Sequence, residues 1–136
     1  MLKKIMIETP PKESLINITD QIQKIVHGSW IDEGVCILAI PHTTAGLTLN
    51  SKMDSATLVD LVNEMRRLVP TRVDFEHIFD TPADAAGHIK SSLVGTTLSL
   101  IISEGQLILG GSQGIFFCEY DGPRTREVLV RLLREG

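Results

Sequence analysis

The chain has 136 residues, a net charge of −4 and a pI near 5.5, which fits one domain over 1–136, since domains typically run to roughly 100–150 residues. Hydrophobic residues make up 43% and charged residues 22%, proportions that exclude a disordered chain, and the acidic balance excludes a broad nucleic-acid surface. No stretch approaches the ~20 apolar residues that span a bilayer, and MLKKIMIETPPKE lacks the apolar region of a signal peptide, so the expected setting is the cytoplasm, with no membrane partner.

Leu2 to Thr9 reads as a strand with Ile5 and Ile7 on one face, stopped by Pro10 and Pro11, which cannot donate to a ladder. From Asn17 the period changes. Ile18, Ile22, Ile25 and Val26 recur at helical spacing, Asn17 or Thr19 can cap, and Gly28 ends a helix that leaves His27 facing solvent in its last turn. Gly34 to Pro41 is a continuous apolar run, expected to be a central strand covered on both faces. It delivers the chain to PHTTAGLTLN, where His42 and two threonines replace the aliphatic run and a second short strand ends at Asn50. Cys36 and Cys118 both lie in apolar runs, as buried free thiols do.

Asp54 or Ser55 caps a helix through Leu68, with Leu58, Leu61, Val62, Met65 and Leu68 as its buried stripe and Pro70 closing it. Residues 71–80 read as a loop. Thr81 as N-cap and Pro82 in the first helical position then start a helix to about Leu93. After Gly95 the character is β: Thr96 to Ile102, a turn at Glu104-Gly105, a return from Gln106 to Leu109, a break at GGSQG, and Ile115 to Tyr120. Asp121-Gly122-Pro123-Arg124 is a turn by composition, and Arg126 to Arg134 reads as a final strand at the sheet edge or a subunit boundary. The sum is α+β, with about seven strands and three helices and no internal repeat.

The GGSQG stretch lies between two strands, no phosphate-loop lysine pattern occurs, and no serine sits in a nucleophile elbow. The chemistry-bearing stretch is His77 to Gly95. Asp84 and His88, four residues apart, project from one helix face, and His77 lies just before that helix in a loop able to fold back. With His42 at a strand end, three histidines are available to a metal. Imidazole suits zinc, and catalytic zinc sites take three protein ligands and leave a fourth position open. Asp84 could orient His88 or ligate directly; ordinary hydrogen-bonded histidines are the competing reading. Glu119 ends an apolar strand beside Asp121, a placement suited to acid–base work or a divalent ion, against the plainer reading of a solvated hairpin tip. Arg124 and Lys90 are the cations best placed to meet a phosphate or carboxylate.

HTTAGLTLN, the Val-Pro closing the second helix, a histidine before D-x-x-x-H-I-K-S-S-L-x-G, then GxLxLGxxQG and E-x-D-G-P-R together resemble the YjbQ-like (UPF0047) family along nearly the whole chain. The resemblance implies an α+β fold, a largely antiparallel β-sandwich with helices packed on one side, assembled as a homotrimer. Some members are described as a secondary thiamine-phosphate synthase, joining a pyrimidine diphosphate to a thiazole phosphate with loss of pyrophosphate. Family motif residues fall on His42, Asn50, His77, Asp84, His88, Glu119 and Arg124. The family often shows G-T-W-Q where this chain has Gly111-Ser112-Gln113 after Gly110, so an aromatic wall for stacking a flat pyrimidine is absent.

The leading expectation is a metal-dependent enzyme acting on a phosphorylated small molecule, in its synthase version a thiamine-phosphate synthase. A divalent ion, zinc favoured and magnesium the alternative, would be held by His42, His77 and His88. Asp84 would orient a ligand, Glu119 would serve as acid or base, Arg124 would join them in catalysis, and Asn50, Lys90 and Gln113 would bind the ligand. The rival is a non-catalytic trimer that holds a metabolite or a partner protein, its histidines structural. The shortage of aromatics, 4% of residues, fits an assembly that gains core area between subunits.

Overall fold

Two antiparallel sheets face each other across an aliphatic core in a computed structural model that describes residues 2–136. The first sheet has the order β1 (Leu2–Glu8), β8 (Thr125–Arg134), β3 (Gly34–Ala39), β5 (Thr97–Ser103), β6 (Gln106–Leu107). The second has the order β2 (Lys12–Asn17), β7 (Gln113–Gly122), β4 (Ala45–Ser51). Strand alternation turns Cys36, Leu38, Leu100, Ile102, Val128 and Val130 inward from the first sheet, where they meet Leu47, Ile115 and Phe117 from the second. Helix α1 (Thr19–Gly28) adds Ile22 and Val26 to the same core. Full burial of each such side chain contributes about 1.5–3 kcal/mol. The α+β expectation therefore holds, with two antiparallel sheets and three helices.

Helices α2 (Ser55–Leu68) and α3 (Pro82–Val94) lie on the other face of the second sheet. There β7 presents Phe116, Cys118 and Tyr120, all buried. Cys36 and Cys118 are free and buried as expected, and burial pushes their thiols up to about 11 and about 12.

Three expectations change, and one strand, β2, falls where the sequence carries no expectation. Strand β8 is not at an edge: it pairs with β1 on one side and β3 on the other, because its inward residues Val128 and Val130 are needed at the sheet's centre. Strand β3 is central but covered on one face only. Its outer Val35 is 37% exposed, opposite Ile101 at 63% and Leu133 at 49%. Strand β2 was not legible, since a bulge between Lys12 and Ser14 and the adjacent Leu15 and Ile16 hide the alternation. Helix α2 begins as expected, with the Asp54 side chain accepting from Ala56 N at 2.9 Å, yet none of its residues is buried and Leu68 is exposed.

Candidate metal centre

The start of α3 fixes the geometry. Thr81 Oγ1 accepts from Asp84 N at 3.1 Å and Pro82 occupies the first turn, where its missing N–H costs nothing. This cap holds Asp84, 7% exposed, at the base of a small cluster. The preceding loop folds back so that His77 Nε2 lies 2.8 Å from Asp84 Oδ2, and His88 Nε2, one turn along α3, lies 3.1 Å from the same oxygen. The two rings meet edge to face with centroids 5.1 Å apart, and one ligand atom from each of the three residues lies within 4.8 Å of the others. Gly87 lets α3 come this close: a Cβ there would stand 3.2 Å from Thr44 Cβ.

Donor counting around His88 limits what can occupy the cluster. Its Nδ1 lies 3.1 Å from Thr43 O and its Nε2 faces Asp84 Oδ2. A carbonyl and a carboxylate both only accept. The ring therefore either carries both protons, or donates from Nδ1 while its Nε2 lone pair and Asp84 share a cation. The second state is the usual arrangement of a metal-ligating histidine, whose other nitrogen donates to a backbone carbonyl. The His77, Asp84 and His88 grouping can bind a metal.

Burial raises the Asp84 carboxyl, but the His77 hydrogen bond, the His88 charge and further hydrogen bonds outweigh it and hold it below the ordinary carboxylate range. Asp121 moves the other way. Burial pushes it up, Arg124 pulls it down through a hydrogen bond and its charge, and neighbouring Asp84 raises it again. Arg124 Nη2 donates to Asp121 Oδ2 at 2.7 Å and lies 3.9 Å from Asp84 Oδ1, so a guanidinium borders the cluster.

Of the residues singled out in the sequence, His77, Asp84, His88 and Arg124 come together, with Asp121 beside them; His42, Glu119, Lys90, Asn50 and Gln113 do not join them. His42 shares a groove with His88, but its Nε2 accepts from Glu127 N at 2.9 Å, and the metal-competent grouping does not include it. Burial and the Arg126 charge keep His42 below its ordinary value, hence neutral and able to accept. Glu119 is fully buried, with Oε1 accepting from Thr9 Oγ1 and Arg126 Nε and Oε2 accepting from Asp121 N and Arg126 Nη2. Those partners leave it no open face for acid–base work. Lys90, 1% exposed, pairs with Glu13 Oε1 at 2.8 Å. Asn50 Oδ1 accepts from Ser51 N, and Gln113 Oε1 accepts from Gly110 N, so both brace backbone. Sequence reasoning missed Glu13 and Arg126. Neither sits in a local pattern that distinguishes it from surface charge.

A family model described as UPF0047 protein YjbQ-like matches residues 3–135. A UPF0047 protein of Methanocaldococcus jannaschii is 40% identical over 133 residues, covering 98% of this chain and 94% of that protein. The UPF0047 protein YugU of Bacillus subtilis is 36% identical over 98% of this chain and 99% of its own. Among solved structures, a YjbQ/UPF0047 family protein of Clostridium acetobutylicum superposes with a TM-score of 0.91 at 34% identity, covering 96% of this chain and 99% of that one. A protein of unknown function from Sulfolobus solfataricus gives 0.92 at 27%, covering 99% and 97%.

Proposed function

For a chain that belongs to the YjbQ-like UPF0047 family, we propose a metal-dependent enzyme acting on a phosphorylated small molecule, with His77, Asp84 and His88 holding a divalent ion, zinc before magnesium. One observation carries this reading: a buried carboxylate oxygen faces two half-exposed imidazole nitrogens, within 4.8 Å, and one of those imidazoles already has its second nitrogen against a backbone carbonyl. Two imidazoles and a carboxylate suit zinc better than magnesium, which prefers an oxygen shell. The ion when bound would supply Lewis acidity toward a phosphoryl oxygen or a bound water.

The chain's own groups divide the remaining work. Thr43 O fixes the tautomer and plane of His88, and the Thr81 cap fixes Asp84. Arg124, already at the border of the cluster, would receive a phosphate. Asp121, which accepts from Arg124 Nη2 at 2.7 Å, would hold that guanidinium at the border of the cluster. A synthase acting with loss of pyrophosphate is the finer form of this proposal. The assembly proposed with it is a homotrimer, supported by the apolar row Ile101, Val35 and Leu133 open on the outer sheet face.

Elemental analysis and turnover together provide the test. Protein purified without an affinity tag is expected to carry one zinc per chain, and His88→Ala to lose both the metal and turnover of a pyrimidine diphosphate with a thiazole phosphate. Full turnover in metal-free His88→Ala protein sinks the proposal.

A further inference from the structure

His88 belongs to the metal cluster and also to a groove of about 600 Å³, which it lines together with His42, Thr43, Ser91, Ser92 and Thr96. Helix α3 supplies one wall. Ser91 and Ser92 stand three and four positions after His88 and so share its face of the helix. The opposite wall comes from the ends of two strands, with His42 and Thr43 following β3 and Thr96 preceding β5. The ladder between β3 and β8 ends at Ala39 and Leu129. Just past that end the Glu127 N–H donates to His42 Nε2 at 2.9 Å, where a longer β3 would have placed a carbonyl.

That bond fixes what His42 offers. The ring is neutral, and with its Nε2 lone pair in use its one proton sits on Nδ1. Nδ1 has no hydrogen-bond partner among the described residues, yet it is not sealed in, since the buried side-chain atoms without a partner are Glu13 Oε2, Ser14 Oγ and Gln23 Oε1. His42 therefore leaves an N–H donor open on a residue that lines the groove. Ser92 is the converse. Its exposed hydroxyl donates to His88 O at 3.1 Å, so its oxygen is left to accept. The exposed Thr43 adds a hydroxyl free to do either. Among the described residues no carboxylate, ammonium or guanidinium lines the groove. A charged group placed there would shed water without meeting a counter-charge.

We propose that this groove receives the uncharged, hydroxylated body of the phosphorylated substrate, one hydroxyl oxygen accepting from His42 Nδ1 and another hydroxyl donating to Ser92 Oγ. Hydroxyls suit a wall that carries both a fixed donor and a fixed acceptor, because each can play either part. Ser92 lies roughly 6 Å along α3 from His88, a distance that the carbon chain of a small polyol spans. The inference rests on the reading that the phosphate is held at the cluster, and it adds the class of molecule: a phosphate ester of a small polyol or sugar.

Titration calorimetry at pH 7, on protein with and without added zinc, tests the groove with three probes. Glycerol 3-phosphate carries two hydroxyls, propyl phosphate has the same chain without them, and 3-phosphoglycerate puts a carboxylate at the far end. Glycerol 3-phosphate is expected to bind at least about tenfold more tightly than either of the others. Ser92→Ala, at an exposed side chain, is expected to cut that preference to about threefold or less, with propyl phosphate affinity and melting temperature unchanged. His42→Ala is expected to cut it as well, but it also strips the Glu127 N–H of its partner, so Ser92→Ala is the arm independent of folding. Equal affinity of glycerol 3-phosphate and propyl phosphate, tighter binding of 3-phosphoglycerate, an intact preference in Ser92→Ala, or no binding of any probe overturns the proposal. Zinc bound without a polyol preference removes the groove and leaves the metal reading; a polyol preference in protein that takes up no zinc does the reverse.

Discussion

Glu119 and Arg126 show how the same residue types at a strand end can serve structure instead of chemistry. The carboxylate accepts from Thr9, Arg126 and the Asp121 N–H, and the guanidinium also donates to Thr44 Oγ1 at 2.9 Å. Breaking a buried pair from one side leaves an uncompensated charge, typically at about 3–5 kcal/mol. Arg126→Met is expected to lose stability of that order in urea unfolding; a loss below about 1 kcal/mol would show that water compensates the carboxylate. Burial alone would raise the Glu119 carboxyl, but the Arg126 and Thr9 hydrogen bonds outweigh it and hold it below its ordinary 4.5. A depressed acid stabilises the fold fully above that value and loses its contribution as pH falls through the folded one. Wild type should therefore weaken on acidification below about pH 4.5, and Arg126→Met should weaken less steeply there. His77, Asp84 and His88 were legible as a group because they lie within one short segment, with Asp84 and His88 at helical spacing. Separating His42 from them required Glu127, on a strand distant in sequence.

At the level of the element, α3 was readable almost to its ends. Thr81 and Pro82 fix its start, Gly95 with φ 95° fixes its stop, and its buried face sets the small residues Ala85, Ala86, Gly87 and Ser91 beside Asp84 and Lys90. That face is also its weakness. Gly87→Val would drive branched carbons toward Thr44, whose Cβ and Cγ2 already stand 3.2 and 3.3 Å from an added Cβ. Overpacking of this kind costs about 1–3 kcal/mol, and His88 would move off Thr43 O. The expected outcome is a lower thermal midpoint with zinc affinity reduced at least about tenfold; unchanged zinc affinity would show that α3 need not lie so close. Sequence failed at β2 because its identity depends on pairing with β7 across a bulge, and at α2 because an amphipathic stripe does not say how tightly it packs. Leu61, Val62 and Met65 of that helix cover a cavity of about 90 Å³ over Leu15, Cys118 and Tyr120.

For the whole molecule, the open question is what covers the outer face of the five-stranded sheet. Met6, at 58% exposure, lies on the same face as the Ile101, Val35 and Leu133 row. The uninterrupted apolar run of β3 is explained if a second copy covers what this chain leaves open. Ile101→Lys is expected to convert a wild-type trimer to monomer in sedimentation velocity, and a monomeric wild type would refute the trimer. The placement of β8 between β1 and β3 bears on how the chain reaches this state. Among the described strands β1 is made first, yet the one it pairs with is β8, made last of them. Its edge must wait unpaired through the synthesis of more than a hundred residues, so closure of this sheet is a late, non-local event, the kind that folds slowly and is exposed to mispairing in the interval.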